Sequence, residues 1–262
     1  MNELLVDIRD RIGWVTLNRP KVHNALNENL MAQITKAFYD LRNKDGIRAV
    51  VLEGKGKSFC AGADLHWMKK VAGNSREENY RDSLRLAEMI VTIQRCPYPV
   101  VGRIHGAALG GGVGLVAACD YVLMEQKATW GLTEVNLGLV PAMISQAVIQ
   151  KIGLGQAKAV FLSGEKYGGQ RALDLGLAHE LLPGEEKLDG RLKELLKNLK
   201  KTGPKASRMA KELIWLNETF ANRPEKLKDL TCQMIASCRA HPEGQEGMAA
   251  LLEKRRPDWD SL

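Results

Sequence analysis

The sequence predicts an α/β layered fold, and three observations carry that expectation. Short apolar runs that read as strands alternate with amphipathic runs at helical spacing. The unit strand–loop–helix recurs with a period near 50 residues. From about Lys187 the pattern is helical and basic, and no low-complexity linker precedes it.

The elements follow in order. Leu4, Val6 and Ile8 alternate as on a half-buried strand, and Gly13 reads as a turn. WVTLNRP is a second strand ending at Pro20. Asn27 is placed as an N-cap, with Leu30, Ile34, Phe38 and Leu41 following at helical spacing. RAVVLEG (Arg48 to Gly54) is a short apolar strand, and GKGKSFCAGADL (Gly54 to Leu65) a loop of small residues. Ser75 and Glu78 form a capping-box pattern, and Tyr80, Leu84, Ala87 and Val91 continue it as a helix. YPVVGRIHG (Tyr98 to Gly106) and YVLME (Tyr121 to Glu125) are further strands. Gly203-Pro204, Pro224 and Pro242 break the C-terminal helical stretch.

A chain of 262 residues, 45% hydrophobic, buries a full core as one large or two small domains. Its 38 Lys and Arg outnumber 31 acids, a net charge of +7. The excess is concentrated in Lys187 to Lys211, with nine basic residues against two acidic ones. That stretch reads as a solvated helix face, with a polyanion such as RNA as the alternative partner. The five cysteines, an odd number without metal-ligand spacing, suit reduced thiols in a cytoplasmic compartment. The start, MNELLVDIRDRIGW, lacks the apolar block of a signal peptide. The longest apolar run, Ala107 to Cys119, has 13 residues. A membrane span needs roughly 20.

The densest chemical signal is GAALGGGVGLVAACD (Gly106 to Asp120), which follows a strand and opens an apolar helix. The first N–H groups of a helix have no internal partner and sit at the positive end of its dipole. Glycine lets an anion approach them. The Lys-Ser/Thr ending of a phosphate loop is absent, and the glycine spacing misses the dinucleotide fingerprint. That leaves an oxyanion formed during reaction, or simply tight strand–helix packing. SFCAGADL (Ser58 to Leu65) also follows a strand. Two such loops at the same ends of neighbouring strands can each offer one N–H to a shared oxygen.

At these residues the chain resembles the crotonase (enoyl-CoA hydratase/isomerase) family. The matching segments run the length of the chain: VTLNRPKVHNAL, SFCAGADL, HGAALGGGVGLVAACD, GLTEVNLGLVP, LSGEKYGGQRALDLGLAHELLP and EGMAALLEKRRPDW. The resemblance implies a spiral of ββα units over residues 1–200, carrying the CoA and catalytic sites. It also implies a helical C-terminal region, 201–262, that assembles homotrimers or hexamers. The implied substrate is an acyl-CoA thioester, with no separate cofactor and no metal. By motif, the carbonyl's two N–H donors are Ala63 and Gly111. CoA contacts map onto Ala61, onto Ala63, Asp64, Leu65 and His66, and onto backbone around Val22, Asn24 and Ala25. Lys254 matches a lysine near the CoA phosphates that a neighbouring subunit often supplies. His66 stands where the family commonly has lysine. Asp120 matches the family's Cys-Asp pair and is expected to be structural.

A hydratase of this family typically carries two glutamates. One matches Glu134 in WGLTEV; the position of the other is Gly114. The family's PGxGGTQRL is here PAMISQAVI (Pro141 to Ile149). With ADLHWM and GGGVGL, that segment is similar to bacterial methylglutaconyl-CoA hydratase-like members. The resemblance therefore implies an enoyl-CoA hydratase using Glu134 as acid and base. The alternative is a Δ3-Δ2-enoyl-CoA isomerase, for which one carboxylate suffices. An RNA-binding role through Lys187 to Lys211 is the remote third reading, without the interleaved aromatics that base stacking needs.

Overall fold

The computed structural model describes residues 2–259 and 261. The elements begin with β1 (Leu4–Arg9), β2 (Ile12–Leu17), α1 (Glu28–Arg42), β3 (Ala49–Gly54), α2 (Leu65–Val71) and α3 (Arg76–Gln94). Then come β4 (Val100–Ile104), β5 (Ala107–Leu109), α4 (Gly111–Ala118), β6 (Tyr121–Glu125), β7 (Thr129–Gly131) and α5 (Ser145–Ser163). The last are β8 (Lys166–Gly168), α6 (Gly169–Asp174), β9 (Glu180–Leu182), α7 (Glu185–Leu199), α8 (Pro204–Thr219), α9 (Pro224–Ala240) and α10 (Pro242–Leu252).

The main sheet runs β1-β2-β3-β4-β6-β9. Only the β1–β2 pair is antiparallel; the others are parallel. Alternate residues point to opposite faces. Val15, Leu17, Val50, Leu52, Val100 and Ile104 join α1 and α3 in the larger core. Ile12, Ala49, Val51 and Val101 face Leu188, Leu192, Leu195 and Leu196 of α7. A second, three-stranded sheet, β5-β7-β8, lies beyond the ends of the first and was not anticipated from sequence. Its strands are only three residues each, too short to show a period.

Local signals account for the starts of five of the helices. Asn27 Oδ1 accepts the Leu30 N–H at 2.7 Å, and Leu30, Ile34, Phe38 and Leu41 are all buried. Ser75 and Glu78 form the reciprocal capping box at α3. Proline opens α8, α9 and α10, where its missing N–H costs nothing. Asp120 is structural: Oδ2 accepts the Val100 N–H at 2.7 Å and Lys211 Nζ at 2.6 Å.

Three local expectations need correction. Gly13 lies inside β2; the turn is Asp10-Arg11, both left-handed at φ 51° and 65°. This is a two-residue hairpin turn without its usual glycine, and Gly13 is instead packed against Leu41. On β1, Leu4 is buried, but Val6 and Ile8 are 49% and 46% exposed. β1 is the outermost strand, and the core covers only the end that bears Leu4. On α3 the predicted face is the exposed one: Tyr80, Leu84 and Val91 face out, while Met89, Ile90 and Ile93 are buried. The first half of α3 lies over a cavity rather than the core, with Ser83 and Leu86 on the cavity wall.

Three of the nine basic residues of the stretch Lys187 to Lys211 are taken up by ion pairs within the fold. Arg191 pairs with Glu180, Lys200 with Asp10 and Lys211 with Asp120. α8 and α9 bury no residue in the single chain, and Ile214, Ile235, Leu251 and Leu252 of this region are exposed. Met1, Asp260 and Leu262, at the ends of the two predicted regions, lie outside the described residues. Among the described residues, no helix is long and apolar enough to cross a membrane.

Replacing Asp120 with Ala strands a buried N–H and a lysine. It is expected to cost about 1–3 kcal/mol, seen as a lower urea midpoint at unchanged slope.

Candidate active site

Neighbouring parallel strands β3 and β4 deliver two loops to the same edge of the sheet. Backbone bonds then clamp the loops together. Cys60 donates to the Ala107 carbonyl at 3.0 Å and accepts from the Leu109 N–H at 3.0 Å. Leu26 donates to the Gly62 carbonyl at 2.7 Å and accepts from Asp64 at 2.9 Å. These flanking bonds leave the N–H of Ala63 turned to the other side. The Gly110 N–H is spent on the Gly131 carbonyl at 2.9 Å. Gly111 is the first residue of α4, so its N–H has no helical partner. Among the described residues, neither Ala63 N–H nor Gly111 N–H has an acceptor.

Missing side chains make this approach possible. A Cβ on Gly112 would sit 2.3 Å from the Cys60 carbonyl oxygen, and one on Gly62 2.9 Å from that of Leu109. Gly110 adopts φ 49°, ψ −119°, a conformation open only to glycine. The helix begins at Gly111, which puts that residue within the dipole's positive end.

Glu134 opens a 3-10 turn, Glu134–Leu137, after β7. Its Oε1 lies 3.1 Å from where a Gly110 Cβ would be, and Gly110 directly precedes Gly111 in the chain. Its Oε2 is buried without a hydrogen-bond partner. Burial lifts the carboxyl above the usual carboxylate range, against the pull of its own backbone N–H. A proton-transfer group near neutral pH has this character. Cys60, beneath the loops, is inert by comparison: burial pushes its thiol up to about 12.

Ala63, Gly111 and Glu134 share one cavity of about 1000 Å³. Its walls are mostly apolar, with Leu26, Met31, Trp67, Met68, Leu86 and Ile144 prominent. Such a cavity excludes water and strengthens any polar contact made inside it. Sequence reading missed these wall residues, since they come from five separate segments without a shared motif. Among the described residues, no group of three or more His, Cys, Asp or Glu can hold a metal ion.

The remaining predicted residues divide. Ala61, Ala63 and Leu65 line the cavity, Ala63 and Leu65 being exposed there, and His66 is exposed without being among the lining residues. Val22 is exposed and Ala25 buried. The Asn24 side chain is wholly occupied: Oδ1 accepts the Arg19 N–H, and Nδ2 donates to the carbonyls of Lys55 and Ser58. The Asp64 carboxylate caps α2 through the His66 and Trp67 N–H groups and pairs with Arg19 at 2.8 Å. Burial opposes its ionisation, but these partners hold its carboxyl below the ordinary range. Lys254 ends α10 in a left-handed conformation and is not among the residues lining this cavity.

At Gly114 a Cβ would lie 2.3 Å from Cγ2 of Ile144 and 3.2 Å from Cδ1 of Ile90. The glycine is therefore a packing requirement, a fact hidden from the sequence because Ile144 is thirty residues away.

The family model for enoyl-CoA hydratase/isomerase matches residues 7–261. A Thermus thermophilus relative with an enoyl-CoA hydratase name is 35% identical over 252 residues, covering 95% of this chain and 97% of its own. The 2,3-dehydroadipyl-CoA hydratase of Escherichia coli is 30% identical over 262 residues, 99% of each chain. A solved enoyl-CoA hydratase from Shewanella pealeana superposes with TM-score 0.93 at 31% identity, covering 98% of this chain and 96% of that one.

Gly114→Ala is expected to destabilise the protein by about 1–3 kcal/mol through overpacking. Adding Ile144→Ala should restore most of that loss. A double-mutant cycle on urea unfolding measures the coupling, and simple additivity would contradict the contact.

Proposed function

The chain belongs to the enoyl-CoA hydratase/isomerase family, and on that premise we propose that it adds water across the double bond of an enoyl-CoA thioester. One observation carries the reading. A carboxylate with a buried, unpartnered oxygen shares an apolar cavity with two residues whose backbone N–H groups have no partner.

In this reading the thioester oxygen accepts the N–H bonds of Ala63 and Gly111, and the dipole of α4 adds to them. Negative charge that develops on this oxygen as an enolate forms is then stabilised by donors already in place. Losing one such donor costs roughly 3 kcal/mol in other enzymes. Glu134 is the proton-transfer group. The CoA arm follows the exposed edge at Ala63, Leu65 and His66 and the backbone of Ala61 and Val22. Asn24, Ala25 and Asp64 serve it indirectly, by holding that backbone in shape. Water addition is redox-neutral and balances without a cofactor.

Lys254 reaches CoA phosphates in this proposal only from a neighbouring copy, in a homotrimer or hexamer. The exposed apolar residues of α8–α10 support such self-association. The buried free thiols Cys60, Cys96 and Cys119 suit a cytoplasmic setting.

The single carboxylate favours a second reading, Δ3-Δ2-enoyl-CoA isomerisation, in which Glu134 removes a proton at C2 and returns it at C4. NMR of product formed in D2O separates the two, since only hydration yields a 3-hydroxyacyl thioester. A panel of crotonyl-, methylglutaconyl- and 2,3-dehydroadipyl-CoA covers short and carboxylated acyl groups. Glu134→Gln is expected to lower kcat by about 10²- to 10⁴-fold. Acyl-CoA affinity by calorimetry should be little changed. Activity near wild type in that variant would rule out Glu134 as the proton carrier.

A further inference from the structure

The place of the absent second acid is closed by hydrocarbon. Ile144 and Ile90 are 2% and 3% exposed and fill the space into which a side chain at 114 would grow. Ile144 also forms part of the wall of the cavity that holds Glu134. Among the described residues, the atoms nearest a side chain at 114 belong to these two branched aliphatic groups, with no polar one among them.

Among the described residues, one other ionisable side chain lines the cavity, Asp82 on α3. Both of its oxygens are engaged: Oδ1 accepts from Arg85 at 2.7 Å and Oδ2 from Asn74 at 3.2 Å. Arg85 is itself shared with Glu28. The other polar lining groups, Asn79, Ser83 and Thr133, do not titrate near neutral pH.

We propose that Ile144 is a positioning residue that closes the second-acid site, so that Glu134 alone makes both proton transfers of the hydration. The proposal rests on the hydratase reading above. In the first step, the oxygen of water bonds to C3 as one of its protons passes to the Glu134 carboxylate. The C2=C3 electron pair moves towards the thioester, giving an enolate held by the Ala63 and Gly111 N–H groups. In the second step the Glu134 carboxyl returns that proton to C2 and the carbonyl re-forms. One water is consumed, and Glu134 ends ionised, as it began.

This cycle has a signature that a two-carboxylate site lacks. Glu134 starts ionised for hydration and also for dehydration. Both rates therefore fall only on the acid side, as pH drops through its raised pKa. With an acid and a base as separate groups, one must start protonated, and rates also fall on the alkaline side.

The test is kcat/KM against pH in both directions, with crotonyl-CoA and 3-hydroxybutyryl-CoA, over the range in which the protein stays folded. The expected profile has one acid limb, losing about tenfold per pH unit, and an alkaline plateau in both directions. Asp82→Asn should retain that shape. Gly114→Glu combined with Ile144→Ala restores both an acid and the room for it, and should add an alkaline limb. An alkaline limb in the wild-type enzyme in either direction overturns the proposal, and its loss in Asp82→Asn would identify Asp82 as the second group. Absence of turnover in both directions instead removes the hydratase reading, and this proposal with it.

Discussion

The close approach of two backbones is the constraint on which the rest of the site depends. The loop after β3 and the loop after β4 meet with Gly112 against the Cys60 carbonyl and Gly62 against that of Leu109. Even one methyl group at either contact would push the loops apart. That apposition is what brings the N–H of Ala63 and the N–H of Gly111 to one cavity. Unpaired donors in an apolar place carry a desolvation cost. Here they are held rigid by the bonds around them, so a ligand oxygen meets donors that need no rearrangement.

A second set of contacts keeps the first loop from relaxing. Arg19 pairs with Asp64, the two side chains being only 15% and 4% exposed, and Arg19 also reaches Glu3. Asn24, in a left-handed conformation, ties the same region to the carbonyls of Lys55 and Ser58. A buried ion pair is weak evidence for net stability, but removing one partner strands a charge at a cost of about 3–5 kcal/mol. Its contribution here is geometric. Asp64 is at once the cap of α2 and the anchor of the residue beside Ala63, so the loop and the helix that roofs the cavity move together.

The legible parts of this molecule were those written in local chemistry. Asn27, the Ser75–Glu78 box and the three helix-opening prolines each act within one turn, and each boundary is visible in the sequence. Five strands of the main sheet are apolar enough to stand out, whereas β9, three half-buried residues, is not, and the glycine loop declares bare backbone. What stayed hidden depends on partners far along the chain. Gly13 looks like a turn residue but is packed by Leu41. The apolar face of α3 misleads because half of that helix covers a cavity, leaving Tyr80 and Leu84 outside and Met89 and Ile90 within. Gly114 can be recognised as unusual from its motif alone, while Ile144, which explains it, cannot.

That pairing changes electrostatics as well as shape. In a site with two adjacent carboxylates, each raises the cost of ionising the other, and the two titrate as a coupled pair. Glu134 has no such neighbour behind it. Its carboxyl is lifted by burial, with no charged group contributing. An isolated group of this kind titrates in one step, and either of its two oxygens can give or accept the proton. The same isoleucine that denies space to a second acid therefore leaves the first with a simple proton equilibrium. In the proposed hydration, desolvation raises the affinity of Glu134 for the proton taken from water, and the enolate held by the two backbone donors receives that proton next. The two effects oppose one another, which is the condition under which one carboxylate can both remove a proton and return it.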